Sequence, residues 1–282
     1  MASVTFPLNS SEPLLTLTRP SPYLWQLEFH NGQDNRLTRS LLVDAFAPAL
    51  NLVEKEWRVK YQAAKVATKA GQQTDPNAGS GALVLVGKID QDKFFSNGFD
   101  LPSVIEDPLW FPVTFDPIIV RLLTFPIPTV AAINGHCFAA GVLLSLACDY
   151  RVMIDGSKRR AWMCMNEVDF GANLPPSFVG IIKAKVGKPL VFRKMALEGH
   201  RFTPPEALEA GLIDVIGGSD TSSVLKDALT LANGKASKAK LGVWGLIKSE
   251  IYRDFIQMTR RDIQPWNTES DAAAARHRLS KL

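Results

Sequence analysis

Four short apolar runs, Ala82–Val86, Val130–Ile133, Arg151–Ile154 and Ala161–Met165, recur along the chain with helix-favouring segments between or after them. This alternation is the strongest constraint on the fold. Runs of this length suit strands better than helices, and strands interleaved with helices are joined by crossovers that make neighbouring strands parallel. Helical patterns follow at Gly141–Ala147 and Ser177–Val186. The expected fold class is therefore α/β with a parallel core.

Other signals mark out the rest of the chain. The run YLWQLEFH from Tyr23 reads as a strand stopped by the Asn31-Gly32 turn. A helix is expected from about Ser40 to Lys69, where Leu42, Phe46, Leu50, Val53 and Trp57 fall at three- and four-residue spacings. The polar stretch GQQTDPNAGSG that follows reads as a surface loop. Thr203–Ile216 reads as an N-cap, a helix with prolines in its first turn, a glycine C-cap and a final strand. Beyond Gly217-Gly218 the chain favours helix. We expect two parts: a core over residues 1–218 and a helical C-terminal region over 219–282.

Composition narrows the function classes. No apolar run approaches the roughly 18 residues that span a bilayer, and the N-terminus MASVTFPLNSSEPLL lacks the pattern of a signal peptide. A net charge of +4 without basic–aromatic interleaving does not point to nucleic acid. Cys137, Cys148 and Cys164 form no CxxC pair and read as buried packing residues in a reducing compartment. No His/Cys/carboxylate spacing indicates a metal. The tripeptide Ser280-Lys281-Leu282 matches the peroxisomal import signal, which implies the import receptor as a partner.

Two glycine-containing turns carry the chemistry. KFFSNGFDL (Lys93–Leu101) follows the Ala82–Val86 strand region, and NGHCFAAG (Asn134–Gly141) follows the Val130–Ile133 strand. Turns at the carboxyl ends of α/β strands are where ligands bind. Small residues there let a ligand reach backbone N–H groups, and the second turn also opens a helix, whose N-terminus favours an oxyanion. The same small residues would equally permit tight strand–helix packing.

Taken together, KFFSNGFDL, PTVAAINGHCFAAGVLLSLACDYRV, the Glu167–Gly171 segment and GHRFTPPEALEAGLIDVI closely resemble the enoyl-CoA hydratase/isomerase (crotonase) family over about Gly81 to Ile216. The first turn looks most like the peroxisomal Δ3,Δ2-enoyl-CoA isomerase branch. The resemblance implies a superhelix of ββα units that trimerises, or forms hexamers, through C-terminal helices. It implies an acyl-CoA thioester as substrate and no separate cofactor, since coenzyme A is part of that substrate. The thioester oxygen would lie between the N–H groups of Phe99 and Ala140, with Asn97, Gly98, Phe138, Leu143 and Asp169 around the pocket. Glu167 stands where the family carries a catalytic glutamate. Its apolar neighbours (Trp162, Met163, Met165, Val168 and Phe170) would raise its pKa toward neutrality.

One departure from the family selects the reaction. Hydratases of the family carry a second glutamate where this chain has Leu143. Adding water needs two carboxylates to hold and activate it, whereas shifting a double bond needs one base to carry a proton from C2 to C4. The expected activity is thus a 3-enoyl-CoA to trans-2-enoyl-CoA isomerase. A hydratase, a dienoyl-CoA isomerase, a thioester hydrolase and a non-catalytic acyl-CoA binder are the alternatives. Asp100 and Asp149 read as turn or capping carboxylates, His136 as a packing residue, and Asp169 as a loop cap that is also the one candidate acid for a dienoyl shift. Lys93, Lys248, Arg253, Arg260 and Arg261 read either as contacts to coenzyme A phosphates or as solvated cations.

Overall fold

A computed structural model describes residues 3–73, 75–91, 93–261 and 268–279, so Ser280, Lys281 and Leu282 lie outside the described residues. The strands are β1 (Val4–Phe6), β2 (Leu15–Ser21), β3 (Leu24–Phe29), β4 (Ala82–Val86), β5 (Phe94–Ser96), β6 (Thr129–Ile133), β7 (His136–Phe138), β8 (Tyr150–Met153), β9 (Met163–Cys164) and β10 (Val215–Ile216). The helices are α1 (Ala47–Lys69), α2 (Leu101–Glu106), α3 (Asp116–Leu123), α4 (Ala140–Ala147), α5 (Pro176–Lys185), α6 (Pro189–Glu198), α7 (Pro204–Ala210), α8 (Thr221–Lys235), α9 (Trp244–Ile251), α10 (Arg253–Thr259) and α11 (Thr268–Leu279).

Seven strands form the main sheet in the order β1-β2-β3-β4-β6-β8-β10. The β1–β3 edge is an antiparallel meander, and from β3 onward every pairing is parallel. All five residues of β4 and all five of β6 are buried, as expected for parallel strands covered on both faces. The glycines at 217 and 218 join β10 to α8, which lies against β4 and β6 and buries Val224, Ala228 and Ala232. The expected helix from Ser40 is present, but Ser40–Phe46 is wound as a π-helix before α1 begins.

A second, three-stranded parallel sheet, β5-β7-β9, corrects the reading of the two glycine turns. Phe94–Ser96 within KFFSNGFDL and His136–Phe138 within NGHCFAAG are strands, and the residues after them turn. Strands of three residues are too short to show a period of two, so the sequence displays only the glycines. The run expected over Ala161–Met165 shrinks to Met163–Cys164, which pairs with β7 and, through a single antiparallel bridge, with Phe202. Each of β4, β6 and β8 is followed by one strand of the small sheet and then by helix. This ββα unit recurs three times although no repeat is visible in the sequence, because the repeats share backbone layout and not side chains.

Asp149 anchors the C-terminal helices. Its carboxylate accepts from Thr129 N at 2.9 Å, Trp244 Nε1 at 3.0 Å and Lys248 Nζ at 3.0 Å. This capping role matches the expectation for Asp149 and corrects that for Lys248. The lysine is buried and ion-paired, so it is neither a phosphate contact nor a solvated cation. Among the described residues, no helix is long and apolar enough to cross a membrane.

Candidate active site

The C-terminal ends of the small-sheet strands converge on a cavity of about 880 Å³. After β5 the wall is Asn97, Phe99 and Asp100; after β7 it is Phe138 and Ala139; after β9 it is Asn166 and Glu167. Val104, Phe111 and Phe178 line it further out, so most of the surface is apolar.

The two turns meet at Gly98, whose φ of +77° is the left-handed region that favours glycine. A Cβ there would stand 2.9 Å from Ala139 Cβ, 3.2 Å from Phe138 O and 3.4 Å from Ala140 N, so only a glycine lets the turns sit this close. Ala139 itself has φ +50° and ψ −124°, a strained backbone for a residue with a side chain. Such strain costs on the order of 1–3 kcal/mol and is held only where the surroundings enforce it. Here β7 continues into Ala139 N–H, which donates to Cys164 O at 2.8 Å, and α4 begins with Val142 N–H donating to Ala139 O at 2.9 Å. Among the described residues, no hydrogen bond uses the N–H of Phe99 or of Ala140. These are the two amides expected from the sequence; Phe99 lines the cavity, and Ala140 N stands 3.4 Å from where a Cβ on the neighbouring Gly98 would lie.

Glu167 opens a 3₁₀ turn, Glu167–Phe170, that Gly171 closes in the left-handed region at φ +74°. Its side chain is 6 % exposed, and Oε2 has no hydrogen-bond partner. Burial pushes its pKa up to about 7, against a smaller opposing pull from its own backbone N–H. The group is thus poised to take and return a proton near neutral pH. Asp100 also lines the cavity; it stands at the N-cap of α2, where its carboxylate accepts from Ser103 Oγ at 2.5 Å and, contrary to the capping expectation, takes no hydrogen bond from a helix N–H.

Two of the expected pocket side chains, Leu143 and Asp169, lie elsewhere. Leu143 does not line the cavity: every residue of α4 is buried, and Leu143 packs in the core. Asp169 is exposed and outside the lining, with its carboxylate beside Gly199 at the end of α6. The short 3₁₀ turn directs Glu167 inward and leaves Val168 and Asp169 at the surface, while the half-exposed Phe170 lines the cavity. Gly98 and Ala140, like Leu143 and Asp169, are not among the lining residues, although Gly98 packs against Ala139 and the Ala140 N–H. His136 stacks on Trp162 at 5.0 Å and accepts from Trp162 N–H through Nδ1 at 3.3 Å. Burial, with Arg159, Lys93 and Arg201 nearby, holds its pKa below the usual value, so it is a neutral packing residue as expected. The three cysteines are buried, and burial pushes the Cys137 and Cys148 thiols up to about 12.

Sequence reasoning missed Arg36, Phe111, Phe178 and the buried Asp116. Arg36 lines the cavity and donates from Nη1 to Phe99 O at 2.8 Å and to Asn97 O at 3.2 Å. It sits in NGQDNR, which reads only as a polar turn, and nothing in the sequence links it to residues 61 and 63 positions away. The rings of Phe99, Phe111, Phe115 and Phe178 form one cluster with neighbouring centroids 4.8–6.5 Å apart. Among the described residues, no group of three or more His, Cys, Asp or Glu is placed to hold a metal ion.

A profile of the enoyl-CoA hydratase/isomerase family matches residues 66–260. "Enoyl-CoA delta isomerase 2, peroxisomal" of Arabidopsis thaliana is 34 % identical over 177 residues, covering 57 % of this chain and 70 % of the relative. "Enoyl-CoA delta isomerase 3" of the same plant is 33 % identical over 174 residues, covering 59 % of this chain and 72 % of the relative. The solved structure of human mitochondrial delta3-delta2-enoyl-CoA isomerase superposes with a TM-score of 0.62 at 20 % identity, over 95 % of this chain and 98 % of that one. That likeness shows the fold, which is crotonase-like.

Proposed function

The chain belongs to the enoyl-CoA hydratase/isomerase family, and we propose that it moves a carbon–carbon double bond within an acyl-CoA thioester, turning a 3-enoyl-CoA into the trans-2-enoyl isomer. The observation that carries this reading is Glu167, a buried carboxylate with an unpartnered oxygen in a mostly apolar cavity that Phe99 also lines; the unused N–H groups of Phe99 and, next to that turn, of Ala140 support it.

The thioester oxygen lies between the N–H groups of Phe99 and Ala140. Glu167 removes a proton from C2, and the electrons move onto that oxygen to give a dienolate. The two fixed donors stabilise the charge where it develops, an effect worth about 3–4 kcal/mol for one such donor. Glu167, now protonated, delivers the proton to C4, and the double bond reforms between C2 and C3. Hydration would need a second carboxylate to position water. The matching position is Leu143, and Asp100 is engaged by Ser103. The aromatic lining keeps water away from the dienolate. The names of the Arabidopsis relatives support an isomerase over a hydratase.

No separate cofactor takes part in this scheme. Phe94, His136 and Trp162 lie tilted or stacked on one another next to Phe138, with Lys93 over the Phe94 ring and Arg201 over Trp162. That strip of rings and cations suits the nucleotide end of coenzyme A. A homotrimer or hexamer is part of the proposal, supported by Leu246, Ile247 and Ile251, which α9 leaves largely exposed. So is a peroxisomal location with the import receptor as partner, supported by Ser280-Lys281-Leu282 and by the names of two relatives.

The test is to offer the purified protein a trans-3-enoyl-CoA and, separately, a trans-2-enoyl-CoA, following the near-ultraviolet absorbance of the conjugated thioester. The first should gain conjugation, the second should persist, and Glu167→Ala should be inert. Consumption of the 2-enoyl substrate by water addition would reject the single-base scheme.

A further inference from the structure

We propose that Arg36 is a positioning residue for the oxyanion site: with Leu37 it holds the three consecutive carbonyls of residues 97–99, so that the Phe99 N–H faces the substrate oxygen. This deepens the reading of the site given above and rests on it.

The geometry is local and complete. Arg36 Nη1 donates to Asn97 O at 3.2 Å and to Phe99 O at 2.8 Å, and between them Leu37 N–H donates to Gly98 O at 2.8 Å. Every carbonyl of the turn is therefore bound on the side of residues 36 and 37. The Gly98–Phe99 peptide has its oxygen fixed by Leu37, which leaves its N–H as the one end free to meet a ligand. A carbonyl that accepts a hydrogen bond also makes the N–H of its own peptide a better donor. Had any of these oxygens turned inward, it would repel the negative charge of the dienolate instead of stabilising it.

Arg36 is in turn held in place. Its Nε donates to Asp34 Oδ2 at 2.9 Å, the same oxygen that accepts from Asn97 Nδ2 at 3.0 Å, while Asn97 N–H donates to Asp34 O at 2.9 Å. The planar guanidinium can meet a carboxylate and two carbonyls at once, which a single ammonium cannot do with the same rigidity. The second oxyanion peptide follows the same logic without a cation, since Ala139 O accepts from Val142 N–H at 2.9 Å. Behind the first turn stands α2, of six residues against the eight of α4, and it begins only after the N-cap Asp100. Arg36 supplies the fixed positive charge there.

The test compares wild type with Arg36→Met, which keeps the stem and removes charge and donors, and Arg36→Lys, which restores a charged donor. Each is assayed well below its own melting temperature with 3-enoyl-CoA. Each is also titrated with acetoacetyl-CoA, whose bound enolate absorbs in the near ultraviolet and reports the oxyanion site without turnover. Loss of one oxyanion donor costs about 10²–10³ in kcat, so loss of its brace is expected to lower kcat by about 10- to 100-fold in Arg36→Met. KM should stay within about threefold, the enolate band should weaken, and Arg36→Lys should recover much of both. A raised KM with kcat intact would overturn the proposal and make Arg36 a substrate-binding cation. Unchanged kcat and enolate band with a lower melting temperature would overturn it in favour of a purely structural role. A wild type that forms the enolate band but does not isomerise would reject the reaction and leave the role of Arg36 standing on the band. A wild type that does neither would reject the site and the proposal together.

Discussion

Replacing Glu167 by Gln should abolish turnover and at the same time make the fold more stable at alkaline pH. Burial holds the Glu167 carboxyl at a pKa of about 7, against an ordinary value of 4.5. A raised acid pKa means that the folded state prefers the proton. The stability associated with the neutral carboxyl is fully present below about pH 4.5 and is lost as pH rises through 7. At about 1.4 kcal/mol per pKa unit, the ionised carboxyl costs the fold about 3 kcal/mol at pH 8 and under about 1 kcal/mol at pH 5. Gln has the same shape and cannot ionise, but its amide inherits the unpartnered place of Oε2, which costs about 1 kcal/mol at either pH. The net expectation is a gain of about 2 kcal/mol at pH 8, seen as a melting temperature higher by about 3–5 °C, and no gain at pH 5. Asp116, also buried with a pKa raised to about 6, contributes a pH dependence of the same sign, but it is present in both proteins and cancels in the difference. Differential scanning calorimetry of the two proteins at both pH values is the assay. A difference that is the same at pH 5 and pH 8 would show that the carboxyl carries no burial strain, and the account of Glu167 as a neutral-range base would fall with it.

The same ionisation governs catalysis in the opposite sense. A base must be ionised to accept the C2 proton, so kcat/KM should rise with pH through about 7 and level off above it, as read from a pH–rate profile. Gly98→Ala places a Cβ 2.9 Å from that of Ala139 at a φ of +77°. It is expected to part the two amides and lower kcat by about 100-fold or more, with KM less affected, in steady-state assays. Lys248→Met strands the buried Asp149 carboxylate, which also caps Thr129 and Trp244. Removing one partner of a buried ion pair costs about 3–5 kcal/mol, and chemical denaturation should show that loss.

The sequence by itself determined the parallel core, because strands interleaved with helices have few other ways to bury an apolar run. It also singled out Phe99 and Glu167, which line the cavity, through their resemblance to family motifs beside glycine and apolar signals. What it lacked was anything non-local. The strands Phe94–Ser96 and His136–Phe138 are too short to show a period, and they exist only because they pair with each other. Leu143 read as a cavity wall, but the all-round burial of its helix is a property of what packs against it. Asp169 and Glu167 are equally acidic and two residues apart, and only the 3₁₀ turn sends one inward and the other to solvent. Arg36 illustrates the limit most clearly: its partners are more than sixty residues away, and a hydrogen bond to a backbone carbonyl leaves no mark on the residue that accepts it. Patterns near in sequence are written in the chain, whereas the contacts that aim a carboxyl or a peptide at one point in space come into being only when the chain has folded.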